Sequence, residues 1–377
     1  MDFAFSEEQT SIRDLARGIL DKEVTHDRLK AVEAGGEWRD APLWSTLADA
    51  GLLGIAIPDD CGGMGFGFGE LCIFLEEIGR AVAPVPVLSS LVLAGLPIAR
   101  FGTAAQKQAL LPPLVRGESQ LTAALVDAHA GDVERPATRA RREGTGWVLD
   151  GDKAFVPMAA QSHRVIVPAS TGDGVGLFLV DPRAAGVTLS ASRLANGQNV
   201  AGMVLRAVAV SGDDLLGGSD ADGVEQLRWV YERALVGIAA LQVGVSARAL
   251  EITSSYVSER IQFGVPIGSF QAVQHRAADR YIDIQAMRWV MWRAAWMLAE
   301  ERPAARAAAV AKFWASDGGS RMANTAQHLH GGIGVDRDYP IHRYFLWSKS
   351  LELTLGGVPH QLADLGRDMA RTGPPEW

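Results

Sequence analysis

Two stretches of this sequence concentrate groups that can grip a nucleotide. The first is Ser258-Glu259-Arg260-Ile261-Gln262-Phe263-Gly264, followed by Pro266-Ile267-Gly268-Ser269-Phe270-Gln271. A guanidinium fork matches the oxygens of a diphosphate, and an aromatic ring packs on an adenine. The same spacing also fits a plain helix hairpin with a solvated arginine. The second stretch is Gln327-His328-Leu329-His330-Gly331-Gly332-Ile333-Gly334. Its glycines let backbone approach a ligand closely, and exposed N–H groups favour anions. His328 and His330 are not at i, i+4 spacing and have no carboxylate or cysteine suitably near, so no metal site is expected. No strand pattern precedes the loop, so it is not a Rossmann fingerprint.

Both stretches need helices to position them. Val224–Val257, Ser269–Ala299 and Ala304–Gln327 read as long helices, which predicts a bundle over residues 220–377. Trp289, Trp292 and Trp296 recur at 3–4 residue spacing and read as a core stripe of that bundle. Residues 1–118 also read as helical. Ser6 with Glu7 and Glu8 marks a helix start, and Ile12, Leu15, Ala16 and Ile19 form one apolar face. Further helices are expected over Pro42–Ala50, Glu70–Val82 and Thr103–Val115, with a glycine-rich loop at Cys61–Gly69. Between them, residues 119–219 read as strands: Leu121–Val126, Gly146–Leu149, Arg164–Val167, Val175–Val180, Val187–Leu189 and Met203–Val210. The expected fold is therefore α+β and mainly α: a helical domain, a small β-sandwich or barrel domain, and a C-terminal four-helix bundle.

Composition closes off several functions. Net charge is −8 with no Lys/Arg run, which argues against nucleic-acid binding. Cys61 and Cys72 are the only cysteines, too few for a disulfide framework, and read as inert thiols in a reducing compartment. The N-terminus lacks a secretory pattern. Uninterrupted apolar runs such as Ala234–Leu241 fall far short of the ~20 residues that span a bilayer, so a cytoplasmic location is expected. The tail Thr372–Trp377 is expected to fray.

The order helical third, small β domain and long-helix bundle, with an Arg-x-Gln-Phe-Gly turn and a His-Gly-Gly-x-Gly loop, resembles the acyl-CoA dehydrogenase family. Leu52-Leu53-Gly54-Ile55-Ala56-Ile57-Pro58, Gly62-Gly63-Met64-Gly65, Leu75-Glu76-Glu77-Ile78-Gly79-Arg80 and Gly151-Asp152-Lys153-Ala154-Phe155 fit it as well. The resemblance covers nearly the whole chain. It implies FAD held between subunits of a tetramer. It also implies removal of an α-proton and transfer of a β-hydride to flavin N5, giving a trans-2-enoyl-CoA. An electron-transfer flavoprotein is the implied acceptor. One subunit's turn and loop grip the ADP half of an FAD lying mostly in its neighbour. Those positions map here to Arg260, Gln262, Phe263, Ile267, Phe270, Gln271, His328, Leu329 and Gly332, with His328 where Gln is usual.

The flavin-ring half departs from the family. Where Thr-Glu-Pro-Gly-x-Gly-Ser-Asp is usual, this chain reads Val126-Asp127-Ala128-His129-Ala130-Gly131-Asp132. Where Trp-Ile-Ser/Thr is usual it reads Phe155-Val156-Pro157, and proline offers neither N–H nor hydroxyl. The base departs too. Counting from Gly331 to the usual Glu of a Tyr-Glu-Gly-Thr motif lands on Leu355, within Thr354-Leu355-Gly356-Gly357-Val358. The minority position on the preceding long helix lands on Ala234. Glu232 lies two residues earlier, a rotation of ~200° around a helix.

These departures resemble the subunit lacking the base in the paired-subunit acyl-CoA dehydrogenases of bacterial steroid side-chain degradation, which are α2β2 heterotetramers. The resemblance extends through Gly331–Asp336, Pro340–Phe345 and Gly268–Val273. It implies an acyl-CoA thioester substrate and a homologous partner subunit. Two alternatives stand beside it. One is a stand-alone homotetrameric dehydrogenase with a displaced base, Glu232 first and Asp127 second. The other is a flavin-free acyl-CoA-binding or scaffold protein.

Overall fold

The computed structural model describes residues 4–129, 132–219 and 221–373. Its elements begin with helices α1 (Glu7–Glu23), α2 (His26–Gly35), α3 (Ala41–Asp49), α4 (Phe68–Ala81), α5 (Leu96–Phe101) and α6 (Ala104–Val115). Strands β1 (Leu121–Ala123), β2 (Arg139–Glu143), β3 (Gly146–Pro157), β4 (Arg164–Ser170), β5 (Val175–Val180), β6 (Val187–Arg193) and β7 (Asn199–Val210) follow. Then come α7 (Gly223–Glu259), the short strands β8 (Ile261–Gln262) and β9 (Val265–Pro266), α8 (Gln271–Ala299), α9 (Ala305–His330), α10 (Ile341–Leu353) and α11 (Val358–Thr372). The mainly helical α+β architecture is the one expected. The chain forms two compact units, each discontinuous in sequence.

The helical unit comprises Met1–Lys30, Phe68–Ala83 and Leu235–Trp377. Ser6 caps α1 in a reciprocal box with Gln9, satisfying two N–H groups at the helix start. Ile12, Ala16 and Leu20 are the buried positions of α1, whereas Leu15 is exposed, so the apolar face is narrower than its spacing suggested. Two glycines set the approach of α4 to α7. A Cβ on Gly79 would lie 2.0 Å from the Leu241 carbonyl oxygen, and one on Gly244 would lie 1.9 Å from that of Glu76. On the same stretch of α4, Glu76 accepts from Arg288 at 2.7 and 3.2 Å, and Glu77 accepts from Arg17 at 2.6 and 2.9 Å.

The tryptophan stripe of α8 is not its core face. Trp289 and Trp296 are about half exposed, and Trp292 packs edge-on against Phe5 at 5.1 Å. The buried positions are Ile284, Met287, Met291, Ala294, Ala295 and Leu298. Both stripes recur at 3–4 residues, so periodicity alone does not choose between them. The smaller and more pliable side chains take the interior, and the Arg302 guanidinium lies 4.5 Å above the Trp296 ring.

The second unit comprises Ala31–Gly67 and Pro84–Ala234 and holds the whole seven-stranded sheet. Strand order is β1-β4-β2-β3-β7-β6, with β5 also on β4. Pairings are antiparallel except β1 and β2 against β4, which are parallel. Leu149, Val156, Val165, Val167, Phe178, Val180, Met203 and Leu205 are buried in its core. Strand β2 reads Arg-Ala-Arg-Arg-Glu and buries only Ala140, so no apolar pattern announced it.

Helix α7 contains an apolar window long enough to cross a membrane, but 72% of that window is buried inside the fold. It is a core helix by environment. No group of three or more potential metal ligands occurs among the described residues.

Candidate functional site

Arg260 to Phe270 form a tight β-hairpin and one 3-10 turn between the two longest helices. Strands β8 and β9 pair Ile261 with Pro266 and Gln262 with Val265, leaving Phe263 and Gly264 as a two-residue turn. Both have positive φ, 54° and 81°, the type I′ geometry that matches strand twist. Glycine takes it freely; phenylalanine does not. The Phe263 ring is 92% exposed, and Ile261, Val265 and Phe270 are exposed beside it. Phe263 and Phe270 touch edge to face, with centroids 6.3 Å apart. Arg260, Gln262 and Gln271 are exposed, and Ile267 is half-buried. These side chains form a projecting apolar tip flanked by a cation and two amides.

The glycine loop is the C-terminal end of α9. Gly331 takes φ 62° and ψ −137°, a conformation reserved for glycine, and a 3-10 turn over Gly331–Val335 follows. Gly334 is filled by the fold: a Cβ there would lie 2.4 Å from Gln327 Oε1. Gly331 and Gly332 are different, since a Cβ at either would meet nothing within 4 Å. Their backbone therefore borders open space. His328 is exposed, and Leu329 is half-buried.

Sequence reasoning did not single out what joins these two pieces. His330 is buried, and its ring stacks on Tyr256 at 4.4 Å and lies 5.2 Å from Tyr339. Its Nδ1 donates to the Ala326 carbonyl at 2.8 Å, while its Nε2 is buried without a partner. Burial lowers the His330 pKa below the ordinary histidine value. Tyr256 precedes the hairpin by one helical turn, which was a usable sequence signal. The pairing itself joins residues 74 apart and was not.

The flavin-ring positions are arranged differently. Asp127 is buried and turned inward. Its carboxylate accepts from Lys153 Nζ at 2.9 Å, from the backbone N–H groups of Ala137 at 3.2 Å and Thr138 at 3.1 Å, and from the Thr138 hydroxyl. Burial lowers the Lys153 pKa, and Asp127 opposes that shift. The neighbouring backbone is occupied as well: Ala128 N–H donates to Asp152 and Ala154 N–H to Val126. Asp127 therefore has no free oxygen to take a proton from a substrate, which removes it as a base candidate. Ala130 and Gly131 lie outside the described residues. Phe155 sits in an irregular stretch of β3 with φ 51° and an exposed ring, and Pro157 is paired opposite Val200.

At the two positions where a base was sought, the residues are Leu355 and Ala234. Leu355 is half-buried in the turn after α10, with φ 55°. Ala234 is fully buried. Glu232 is half-buried, and burial raises its pKa while Arg233 and Arg228 oppose that shift. Two residues on, the helix has turned far enough that Glu232 and Ala234 cannot share a direction. Cys61 and Cys72 are both buried and neither is in a disulfide, and burial raises the Cys61 pKa.

Fit to an FAD is thus divided within the chain. The hairpin and glycine loop offer a cation, amides, rings and open backbone. The residue 126–128 and 155–157 positions offer a consumed carboxylate and a proline.

Residues 6–118 match the acyl-CoA dehydrogenase N-terminal domain, and residues 222–369 match the acyl-CoA dehydrogenase C-terminal domain. The chain is 36% identical over 380 residues to acyl-CoA dehydrogenase FadE27 of Mycobacterium tuberculosis, covering 99% of this chain and 100% of that one. It is similar to a structure of the Tcur3481–Tcur3483 steroid ACAD, with 47% identity, TM-score 0.90, and 97% and 98% of the two chains covered. It is also similar to a chain of the ChsE4–ChsE5 complex from Mycobacterium tuberculosis, with 36% identity, TM-score 0.94 and full coverage of both chains.

Proposed function

This chain belongs to the acyl-CoA dehydrogenase family of FAD-dependent oxidoreductases, and we propose that it is the non-base subunit of an α2β2 enzyme acting on a steroid side-chain or other bulky acyl-CoA. The observation that carries this reading is the contrast inside one chain. Phe263 and its hairpin project into solvent, while Asp127 is closed on Lys153. Similarity to two complexes whose names each pair two components supports it.

In this reading Arg260 forks onto the diphosphate of a cofactor lying mostly in the partner. Phe263 and Phe270 cover its apolar faces, and the backbone N–H at Gly332 adds an anion contact, that of Gly331 being spent on the Gln327 carbonyl. The flavin, when bound, supplies hydride acceptance. This chain has no carboxylate to take the α-proton at position 355, so both that proton and the ring contacts fall to the partner. The half-exposed Trp289 and Trp296, with exposed Tyr281 and Ile282, give α8 an apolar face suited to another subunit. An electron-transfer flavoprotein as acceptor and a cytoplasmic location complete the proposal.

The test is turnover. The chain purified alone is expected to show no acyl-CoA dehydrogenation, and co-purification with a homologue encoded nearby restores it. Strong turnover from the chain alone would sink the proposal. The raised pKa of Glu232 favours the stand-alone alternative, with Glu232 as base.

A further inference from the structure

The turn at Leu355 is built around a buried cation. The Lys312 side chain projects from α9 with no exposure to solvent. Its Nζ donates to the Glu352 carbonyl at 3.0 Å, the Gly356 carbonyl at 2.9 Å and the Ser316 hydroxyl at 2.7 Å. All three ammonium donors are thereby used. The two carbonyls flank Leu355, so one side chain closes the segment from both ends. The Leu355 carbonyl accepts from Gln361 Nε2 at 3.1 Å, and Thr354 Oγ1 donates to the Ser350 carbonyl at 2.7 Å. Gly356, with φ 91°, leaves room for the His360 ring, which a Cβ there would strike at 2.4 Å.

Two unfavourable features share this turn. An ammonium is held out of water, and a leucine is held at positive φ. Such features persist where the surroundings over-determine them. The charged group acting on Lys312 is Glu352 of α10, whose carboxylate pairs with Lys349 at 2.8 Å; on α11, His360, whose ring borders Gly356, pairs with Asp364 at 3.3 Å. Desolvation brings the Lys312 pKa down to about 7, opposed by Glu352.

We propose that Lys312 is a positioning residue that staples the turn after α10 and holds Leu355 in its left-handed conformation. This rests on reading Leu355 as the base position of the family, and it makes that position a fixed apolar element of the site. The test is amide hydrogen exchange in the full chain, with its partner where the partner is needed. Lys312→Met should speed exchange at Leu355, Gly356 and Gly357 by about tenfold, while amides inside α9 stay within about twofold. Lys312→Gln, which keeps N–H donors at the site, should speed it less. Unchanged exchange in Lys312→Met, or equal acceleration in both variants, overturns the proposal. Neither variant's readout depends on flavin or turnover, so the staple and the base-position reading fail separately.

Discussion

The Tyr256 ring lies stacked on the His330 ring, with centroids 4.4 Å and planes 22° apart, and this pair ties the last turns of α7 to the end of α9. The hairpin starts four residues after one ring, and the glycine loop starts directly after the other. The stack therefore fixes the spacing of the two pieces proposed to grip the diphosphate. Tyr256→Ala is expected to weaken flavin retention by the assembled enzyme by roughly tenfold, from an aromatic pair worth ~0.5–1.5 kcal/mol beyond burial. Flavin release during gel filtration would measure it.

The same histidine predicts a pH response. His330 has a lowered pKa in the folded state, so between that value and 6.5 the unfolded chain binds more protons. Its contribution to stability is complete above pH 6.5 and falls away as pH drops through the folded pKa. Melting temperature should decline on acidification below pH 6.5, and His330→Phe should flatten part of that decline. An identical slope in the variant would remove His330 as the cause.

Phe263 pairs high exposure with an unfavourable φ. Phe263→Asn places a residue that accepts the type I′ turn and so should raise the stability of the isolated chain by ~1 kcal/mol. It should also lower flavin retention in the assembly. Urea midpoint and flavin content, measured on the same preparations, separate the two effects. A variant that keeps full flavin content would show the ring to be idle.

Asp127 predicts the reverse pattern. Removing one partner of a buried pair leaves the other charge uncompensated, at a cost of ~3–5 kcal/mol. Asp127→Ala should therefore unfold at markedly lower urea, while Glu232→Gln, changing a half-buried side chain outside the proposed machinery, should leave turnover of the assembled enzyme unchanged. A large loss of turnover in Glu232→Gln would revive the stand-alone reading.

Much of the fold was legible because helix signals are local. Ser6 and Thr103 both proved to be reciprocal capping boxes, and the three long helices were found to within a few residues. Strand β5 was read without error as Val175–Val180, since all but its first residue are buried. Strand β2 was not found, because its charged residues pair through backbone groups that sequence does not reveal. Within the candidate site, residue types at Arg260, Phe263 and Gly332 pointed to the proposed grip. The hairpin that projects Phe263, the inward turn of Asp127 and the Lys312 staple depend on partners 26 to 44 residues away, or on backbone geometry. The tryptophans of α8 misled for a related reason: a stripe shows that a face exists, not what covers it.

The central claim is that this chain completes a flavin site it does not itself own. The most direct measurement is the flavin-to-chain ratio from the visible spectrum, for the chain expressed alone and then with a homologous neighbouring subunit. The account predicts no flavin alone and about one flavin per two chains in the complex. Flavin near one per chain in the protein expressed alone would contradict it.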